Sequence, residues 1–259
     1  MTATISMVFA AIGGAILGSF ANVCIDRLPM RGSLRGRSQC DRCRRTLRWW
    51  ELLPVISAMM LRHHCPRCGG GFAVRNTLVE LGCAALLVGV TWGAGARPWQ
   101  ETVVLAFGLL VLLILACIDL ERGVVPDVIS IPVLVGIVLV RMGTAWQMSD
   151  GWVMHLGQVL LFGGVGAGWF WIQHRLSRGA WVGDGDIRVG ALLGALFPGS
   201  LLAVALGAAY IVGGLIGGVL LATGLAQRKS RLPFVPFLFL GAVVAAMVGT
   251  SILEWYDFS

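Results

Sequence analysis

Charged residues are scarce in this chain of 259 residues. Only 13% of the residues are Asp, Glu, Lys or Arg, about half the share found in ordinary soluble domains. In contrast, 57% are hydrophobic, and the mean hydropathy is +0.83. This composition excludes an ordinary soluble domain and predicts an integral membrane protein.

Sustained alternation of apolar and polar residues is also missing, which excludes a membrane β-barrel and favours helices. A helix needs about 20 apolar residues to cross a hydrocarbon core about 30 Å thick. We therefore expect an all-α polytopic membrane protein with about eight transmembrane helices. No cleaved signal peptide is expected, because the first apolar run is too long and lacks a basic n-region. The runs lie near 5–24, 77–95, 101–119, 128–142, 152–173, 187–198, 200–224 and 233–251, and 187–198 is the shortest.

Basic residues are nearly absent from every second loop. All but two of the 20 Lys and Arg fall in four segments, and only Arg97 and Arg141 are assigned to the other loops. Because basic loops stay in the cytosol, both termini are predicted to be extracytoplasmic. The net charge of +7 thus reflects membrane topology and does not indicate a nucleic-acid partner. The basic segments are 25–75, 120–127, 174–188 and 225–232.

Several glycines recur at a spacing of four residues within the apolar runs. Such pairs allow helices to pack closely in lipid, and this packing role is the simplest interpretation. The pairs are Gly14/Gly18, Gly190/Gly194 and Gly213/Gly217.

The long polar insertion at 25–75 contains two C-x-x-C pairs, formed by Cys40 with Cys43 and Cys65 with Cys68. Two such pairs can bring four thiolates to the corners of a tetrahedron, about 2.3 Å from a Zn²⁺ ion. Two disulfides are the alternative, which a cytosolic loop disfavours because thiols stay reduced there. Four cysteines complete the coordination sphere, so the zinc is expected to stabilise the loop and not to catalyse a reaction.

Acidic residues at the edges of apolar runs are costly in a membrane and are therefore candidate functional residues. Asp119 ends the third run, and Asp186 directly precedes the short run at 187–198. Asp127 begins the fourth run, where it is either a helix N-cap or a substrate-binding residue. Glu80 lies one turn into the second run, where neutralising a cytosolic arginine such as Arg75 is the simplest role.

Asp119 and Asp186 are predicted to meet at the cytoplasmic boundary from two different helices. Two carboxylates within hydrogen-bond distance cannot both ionise, so one keeps a proton while the other can activate a water. This is the chemistry of an aspartic protease. Gly183 and Gly185 are expected to adopt positive φ and to let an extended peptide approach closely. From these residues alone, a mere N-cap role for Asp186 on a short helix is equally favoured.

Five ordered motifs resemble those of the type IV prepilin peptidases, polytopic bacterial enzymes of the GxGD aspartic protease class. The strings IDLERGVVPD at 118–127 and GDGD at 183–186 resemble the two signatures of that family. GSFANVCIDRLP at 18–29, the cysteine tetrad with LRWWELLPVIS, and LPFVPFLFLG at 232–241 resemble its other motifs. The resemblance covers nearly the whole chain.

The resemblance implies that Asp119 and Asp186 are the catalytic dyad and that Gly183 and Gly185 shape the site, with Asp184 at a variable position. It implies an enzyme of the bacterial inner membrane, with its active site facing the cytoplasm. The implied substrates are type IV prepilins or type II secretion pseudopilins, which are cut between a basic leader and a hydrophobic helix.

The resemblance also implies a second activity, because many family members methylate the new N-terminus with S-adenosylmethionine. That activity is assigned to roughly residues 18–80, where Glu80 would contact the new amino group or the methyl donor. The sequence has no nucleotide-binding fingerprint of its own. Arg188, which stands where the family usually has lysine, is expected to belong to the substrate-binding residues together with Asp127.

The expected organisation is a first transmembrane helix at 1–24, a cytosolic zinc loop with the methyltransferase region at 25–75, and a transmembrane peptidase domain at 76–259. Two other classes of function stay open: a non-enzymatic scaffold for pilus or secretion assembly, and a transporter that moves protons or cations through its aspartates. Loss of the methyltransferase activity alone is a further alternative. No nucleic-acid partner is expected, and membrane lipid surrounds the spans.

Overall fold

The computed structural model describes residues 2–30, 32–40, 42–95, 97–147, 152–225, 227 and 232–256. In these residues seven helices are long and apolar enough to cross a membrane, and no strand is present beyond two isolated bridges. The predicted all-helical polytopic fold is therefore confirmed. The long helices are α1 (Thr2–Arg27), α3 (Val74–Trp92), α4 (Trp99–Arg122), α5 (Asp127–Gln147), α6 (Trp152–Ser177), α8 (Ser200–Ala222) and α9 (Val235–Trp255), and the short ones are α2 (Ile56–Leu61) and α7 (Asp184–Leu196).

The short run at 187–198 forms α7, a helix of 13 residues that is about 20 Å long. Helices α4, α5, α6, α8 and α9 all contact it. Val189, Leu192 and Leu193 have no exposed surface. A helix surrounded by other helices can be shorter than the bilayer core, because its ends are solvated by protein groups and not by lipid.

The chain divides into two compact units, Met1–Ala96 and Arg97–Ser259. In the first unit α1 packs against α3 through the predicted glycine pair. A Cβ atom on Gly14 would lie 2.6 Å from Ala84 Cα, and one on Gly18 would lie 2.6 Å from Glu80 Cα. These two positions therefore require glycine, as the spacing predicts.

In the second unit the predicted pair Gly190/Gly194 also lies at a close contact between helices. A Cβ on Gly190 would overlap the Phe170 ring of α6, and one on Gly194 would overlap the backbone of Phe162. The predicted pair Gly213/Gly217 is looser, since a Cβ on Gly217 would meet only Leu232 at 3.7 Å. The closest approach of α8 and α9 lies instead at Gly241, which faces the backbone of α8.

One loop assignment is corrected by the length of α5. Arg141 lies inside this helix and not in a loop, because α5 continues to Gln147. Its side chain is only 14% exposed. Arg97 lies two residues before α4 begins.

Candidate active site

Asp119 lies in the last turn of α4, which ends where Gly123 adopts the left-handed conformation (φ 64°). The Asp119 residue is only 7% exposed. Its Oδ2 atom accepts a hydrogen bond from the Val235 backbone N–H at 3.1 Å, and the Phe234 N–H also donates to it. The first N–H groups of a helix have no intrahelical partner and bind anions well. The N-terminus of α9 thus holds the Asp119 carboxylate.

Asp186 is the third residue of α7 and is 8% exposed. Gly183 precedes the helix, and its N–H donates to Asp186 Oδ2 at 2.9 Å. Asp186 is therefore not the N-cap residue of α7. It reaches back from the first turn, which orients its carboxylate toward the loop that enters the helix.

The two carboxylates lie on the same cavity, whose volume is about 860 Å³. They are close enough to couple electrostatically. The cavity walls combine the polar ends of α4 and α7 with apolar groups such as Trp181 and Phe237. This arrangement offers a chamber large enough for a peptide segment, with two acidic groups on its wall.

The glycines of the GDGD string lie differently from the expectation. Neither Gly183 nor Gly185 has a positive φ in the structure. Gly183 is extended at φ −80° and ψ 164°, and Gly185 is helical. Gly185 is nonetheless required, because a Cβ there would lie 2.6 Å from both Cβ and Cγ2 of Val125. Its small size serves the contact between α7 and the loop after α4.

Arg188 links α7 to the start of α5. Its Nη2 atom donates to the Val125 carbonyl at 3.2 Å and lies 2.5 Å from Asp127 Oδ1. Asp127 is not an N-cap, because the first hydrogen bonds of α5 run from Ile129 and Ser130 to the Pro126 carbonyl. Arg188 and Asp184 line the cavity, whereas Asp127 lies outside it and pairs with Arg188.

A histidine contact near the GDGD string was not predicted from the sequence. His174, in the last turn of α6, has Nδ1 2.8 Å from the Val182 carbonyl and Nε2 3.2 Å from Asp184 Oδ1. Asp184 is otherwise exposed, at 77% of its side chain. The spacing of ten residues between the two gives no periodic signal, since a loop separates the helices that carry them.

Glu80 lies in the first unit, on α3, and is 8% exposed. Its Oε2 atom accepts the Val55 N–H at 2.8 Å, whereas Arg75 pairs with Asp26 at 2.7 Å. The predicted neutralisation of Arg75 by Glu80 is therefore replaced by a different pair. Nearby, the buried Asn22 donates to the Asn76 carbonyl at 2.9 Å, and its Oδ1 atom has no partner among the described residues.

The four cysteines of the polar insertion converge. Their sulfur atoms all lie within 4.8 Å of one another, and the Cys40 to Cys68 separation is 3.7 Å. Four sulfurs at 2.3 Å from a central zinc would be about 3.8 Å apart. All four thiols are free, so the disulfide alternative does not apply, and the cluster could hold a metal ion.

The backbone prepares each cysteine pair in the same way. Cys40 and Cys65 each begin a tight turn whose fifth residue, Arg44 or Gly69, has a positive φ. Hydrogen bonds from the backbone N–H groups of Arg67 and Cys68 lower the pKa of the Cys65 thiol to about 6. Such N–H groups favour the thiolate, the form that binds metal.

A buried ion pair supports the cysteine cluster from one side. Arg45 Nη2 lies 2.7 Å from Glu51 Oε1, whose side chain is 1% exposed. The hydrogen bond from Arg45 holds the pKa of the Glu51 carboxyl below its usual value. Arg45 also lies beside the Cys65 sulfur, which places a cation next to the thiolates.

Two known protein families match different parts of the chain. Residues 12–94 match a family described as the bacterial Peptidase A24 N-terminal domain, and residues 106–250 match the type IV leader peptidase family. A prepilin leader peptidase/N-methyltransferase of Pseudomonas putida is 30% identical over 94% of this chain and 91% of its own. Proteins of the same name from Stutzerimonas stutzeri and Bacillus subtilis are 28% and 29% identical, over 95% of this chain and 92% and 95% of their own. No solved structure matches the chain.

Proposed function

Because the chain belongs to the type IV leader peptidase family, we propose that it cleaves the basic leader from type IV prepilins or type II secretion pseudopilins. Membership of this family makes the protein a peptidase. The observation that carries the proposed mechanism is the pair of buried carboxylates, Asp119 and Asp186, on one cavity.

In this mechanism the two carboxylates share one proton and titrate as a unit. The ionised member takes a proton from a water, and the oxygen of that water attacks the scissile carbonyl. The protonated member donates to the amide nitrogen as the C–N bond breaks, and the released amine becomes the new N-terminus. Backbone N–H groups of Gly183, Phe234 and Val235 hold the two carboxylates in place while the charge moves between them.

The charged groups at the cavity have a supporting role in the proposal. Arg188 fixes the Val125 carbonyl and so shapes the wall that faces Gly185. An extended substrate would lie along this wall, with Asp127 keeping Arg188 in place. We place the cavity at the cytoplasmic face of a bacterial inner membrane, since the flanking segments 120–127 and 174–188 carry basic residues.

The test is co-expression with a prepilin-like substrate and detection of the shortened product. Asp119→Asn and Asp186→Asn should each abolish cleavage, because neither amide can exchange the shared proton. Asp184→Asn is the matched control, since its exposed carboxylate lies two residues from Asp186 and should leave most activity intact. Product formation by either dyad variant would contradict the mechanism. A scaffold would yield no product even as wild type, and a transporter would show ion flux that the substrate does not affect.

We also propose a structural Zn²⁺ ion bound by Cys40, Cys43, Cys65 and Cys68. The sulfur separations fit a tetrahedral site that has no open position. When bound, the ion would tie the two turns of the polar insertion together. In this proposal the four cysteines belong to a cytosolic zinc loop in the polar segment between α1 and α3.

A second activity is proposed for the first unit, in which the new N-terminus is methylated with S-adenosylmethionine. The relatives carry N-methyltransferase in their name. The buried carboxylate of Glu80 and the Oδ1 atom of Asn22, which has no partner among the described residues, are acceptors for an amino group. The methyl group would pass from the sulfonium to the neutral amine, with release of the thioether and a proton. Mass spectrometry of the mature substrate should then show a gain of about 14 Da, one CH₂ in place of hydrogen. Glu80→Gln should reduce this gain and leave cleavage unchanged; a peptidase without methyltransferase activity would show no gain at all.

A further inference from the structure

Arg141 is a buried cation that the proposed reaction does not use. It lies in α5, with 14% of its side chain exposed, and its Nη2 atom has two acceptors. One is Glu101 Oε2 on α4, at 3.0 Å. The other is the backbone carbonyl of Leu196, the last residue of α7, at 3.1 Å. A single guanidinium therefore joins three helices.

The carbonyl of Leu196 needs a partner for a physical reason. The last four carbonyls of a helix have no intrahelical donor, and in a membrane protein no lipid group can replace one. The Phe197 N–H satisfies Leu193, and Arg141 satisfies Leu196. A cation at the C-terminus of α7 also interacts favourably with the helix dipole.

Two polar ties connect α5 and α7, one near each end of the short helix. Asp127 of α5 pairs with Arg188 near the start of α7, and Arg141 of α5 binds Leu196 at its end. The two ties are about 21 Å apart along α5 and about 12 Å apart along α7, a difference that the long arginine side chains can bridge. The ties fix how far α7 can slide along α5.

Sliding of α7 matters because α7 carries Asp186. Glu101 belongs to α4, which carries Asp119 at its other end. The contact of Gly108 with Leu196 is a further point where α4 meets α7, since a Cβ on Gly108 would overlap the Leu196 side chain. The Arg141 contacts thus set the position of α7 relative to α4 at the end opposite to the two carboxylates.

We propose that Arg141 is a positioning residue that sets the separation of Asp119 and Asp186 by capping α7 and pairing with Glu101. The proposal rests on the proposed peptidase function for its kinetic consequence, but the cap itself does not depend on the substrate. A displacement of about 1 Å in an active site can cost about 100-fold in rate. The consequence is a loss of kcat with little change of KM, because Arg141 is remote from the cavity that would bind the peptide.

The experiment uses the full-length protein in lipid nanodiscs, with a prepilin-like peptide and hydrogen exchange measured by mass spectrometry. Arg141→Met should lower kcat by about 10- to 100-fold, with KM within about twofold. Amide exchange should rise selectively in the last turns of α7, which lose their cap. Arg141→Lys should recover part of the kcat and part of the protection from exchange that Arg141→Met loses, since an ammonium can reach one of the two acceptors.

Arg97→Met is the matched control. Arg97 also donates to a backbone carbonyl, that of Ala246 at 3.3 Å, but this carbonyl lies inside α9, where the helix supplies its own donor. This variant should keep the kcat and the α7 exchange of the wild type. Wild-type kcat and exchange in Arg141→Met would overturn the proposal, as would faster exchange spread evenly over α4 to α9. If the wild type does not cleave the peptide, the proposed function fails. The hydrogen-exchange measurement would still show whether Arg141 caps the C-terminus of α7.

Discussion

Asp184 and Asp186 show how two neighbouring carboxylates come to have different environments. Two residues along a helix correspond to a rotation of about 200°, so their side chains leave α7 on nearly opposite faces. Asp186 is 8% exposed and receives the Gly183 N–H, whereas the Asp184 side chain is 77% exposed and pairs with His174. The backbone rotation at the start of α7 therefore decides which of the two can join Asp119.

At the same scale, Gly185→Ala is expected to damage the active site. The new Cβ would lie 2.6 Å from Val125 Cβ, so either α7 or the loop after α4 must move. Overpacking of this kind costs about 1–3 kcal/mol. We expect a lower thermal unfolding temperature, and a loss of peptide cleavage of about 5- to 150-fold where that cost falls on the transition state.

Two further variants make the Gly185 prediction specific. Gly168→Ala on α6 is the control, since nothing lies within 4 Å of a Cβ there, and it should behave like the wild type. Adding Val125→Gly to Gly185→Ala removes the clashing side chain and should recover activity. Equal activity of Gly185→Ala and wild type would mean that the contact with Val125 is not needed.

At the scale of elements, the cysteine loop depends on its buried ion pair. Arg45 hydrogen-bonds to Glu51 and lies beside the Cys65 sulfur. Removing a side chain that supports a metal ligand typically lowers metal affinity about 10- to 100-fold. We expect this loss for Arg45→Met, measured by competition with a zinc chelator, and about one zinc per chain in the wild type.

The matched control for Arg45→Met is Arg37→Met, which removes the same charge from an exposed position of the same loop. It should leave the zinc affinity within about twofold of the wild type, because surface charges of this kind contribute little. Cys65→Ser should lose the metal, since one thiolate of four is missing. Metal content near zero in reduced wild-type protein would contradict the proposed site.

Local sequence patterns predict some elements of this fold and leave others unpredicted. Hydropathy and glycine spacing predicted the long helices and the close packing at Gly14 and Gly18, because these depend on local composition. The cysteine spacing likewise predicted the convergence of the four thiols. The N-terminus of α9 on Asp119 was not predicted, because its two donors are backbone groups 115 and 116 residues from that carboxylate and leave no side-chain signal.

Positive φ at Gly183 and Gly185 was a wrong expectation for a related reason. The sequence shows that a Cβ is missing, but it does not show whether backbone conformation or a neighbouring side chain requires the absence. At Gly185 the neighbour is Val125, which lies 60 residues away. The roles of Arg141 and His174 were missed similarly, since each binds a backbone carbonyl outside its own helix.

For the molecule as a whole, the membrane topology depends on whether α7 crosses the membrane. Seven described helices have the length of a membrane span, and α7 has 13 residues. If α7 crosses, the basic segments 174–188 and 225–232 both face the cytosol, as the distribution of arginine and lysine predicts. If it does not cross, these two segments lie on opposite sides.

Reporter fusions at three positions distinguish these topologies. We expect a fluorescent protein to be active after Arg178 and after Thr223, and an exported phosphatase to be active after Gly199, because α7 is shielded from lipid by neighbouring helices and can span with about 20 Å of length. Each of the three positions should be fused to both reporters in turn, so that every position is assigned to a side of the membrane by an active reporter. Fluorescence after Gly199 together with phosphatase activity after Thr223 would mean that α7 enters and leaves on the same side, and that the positive residues at 225–232 do not fix the orientation.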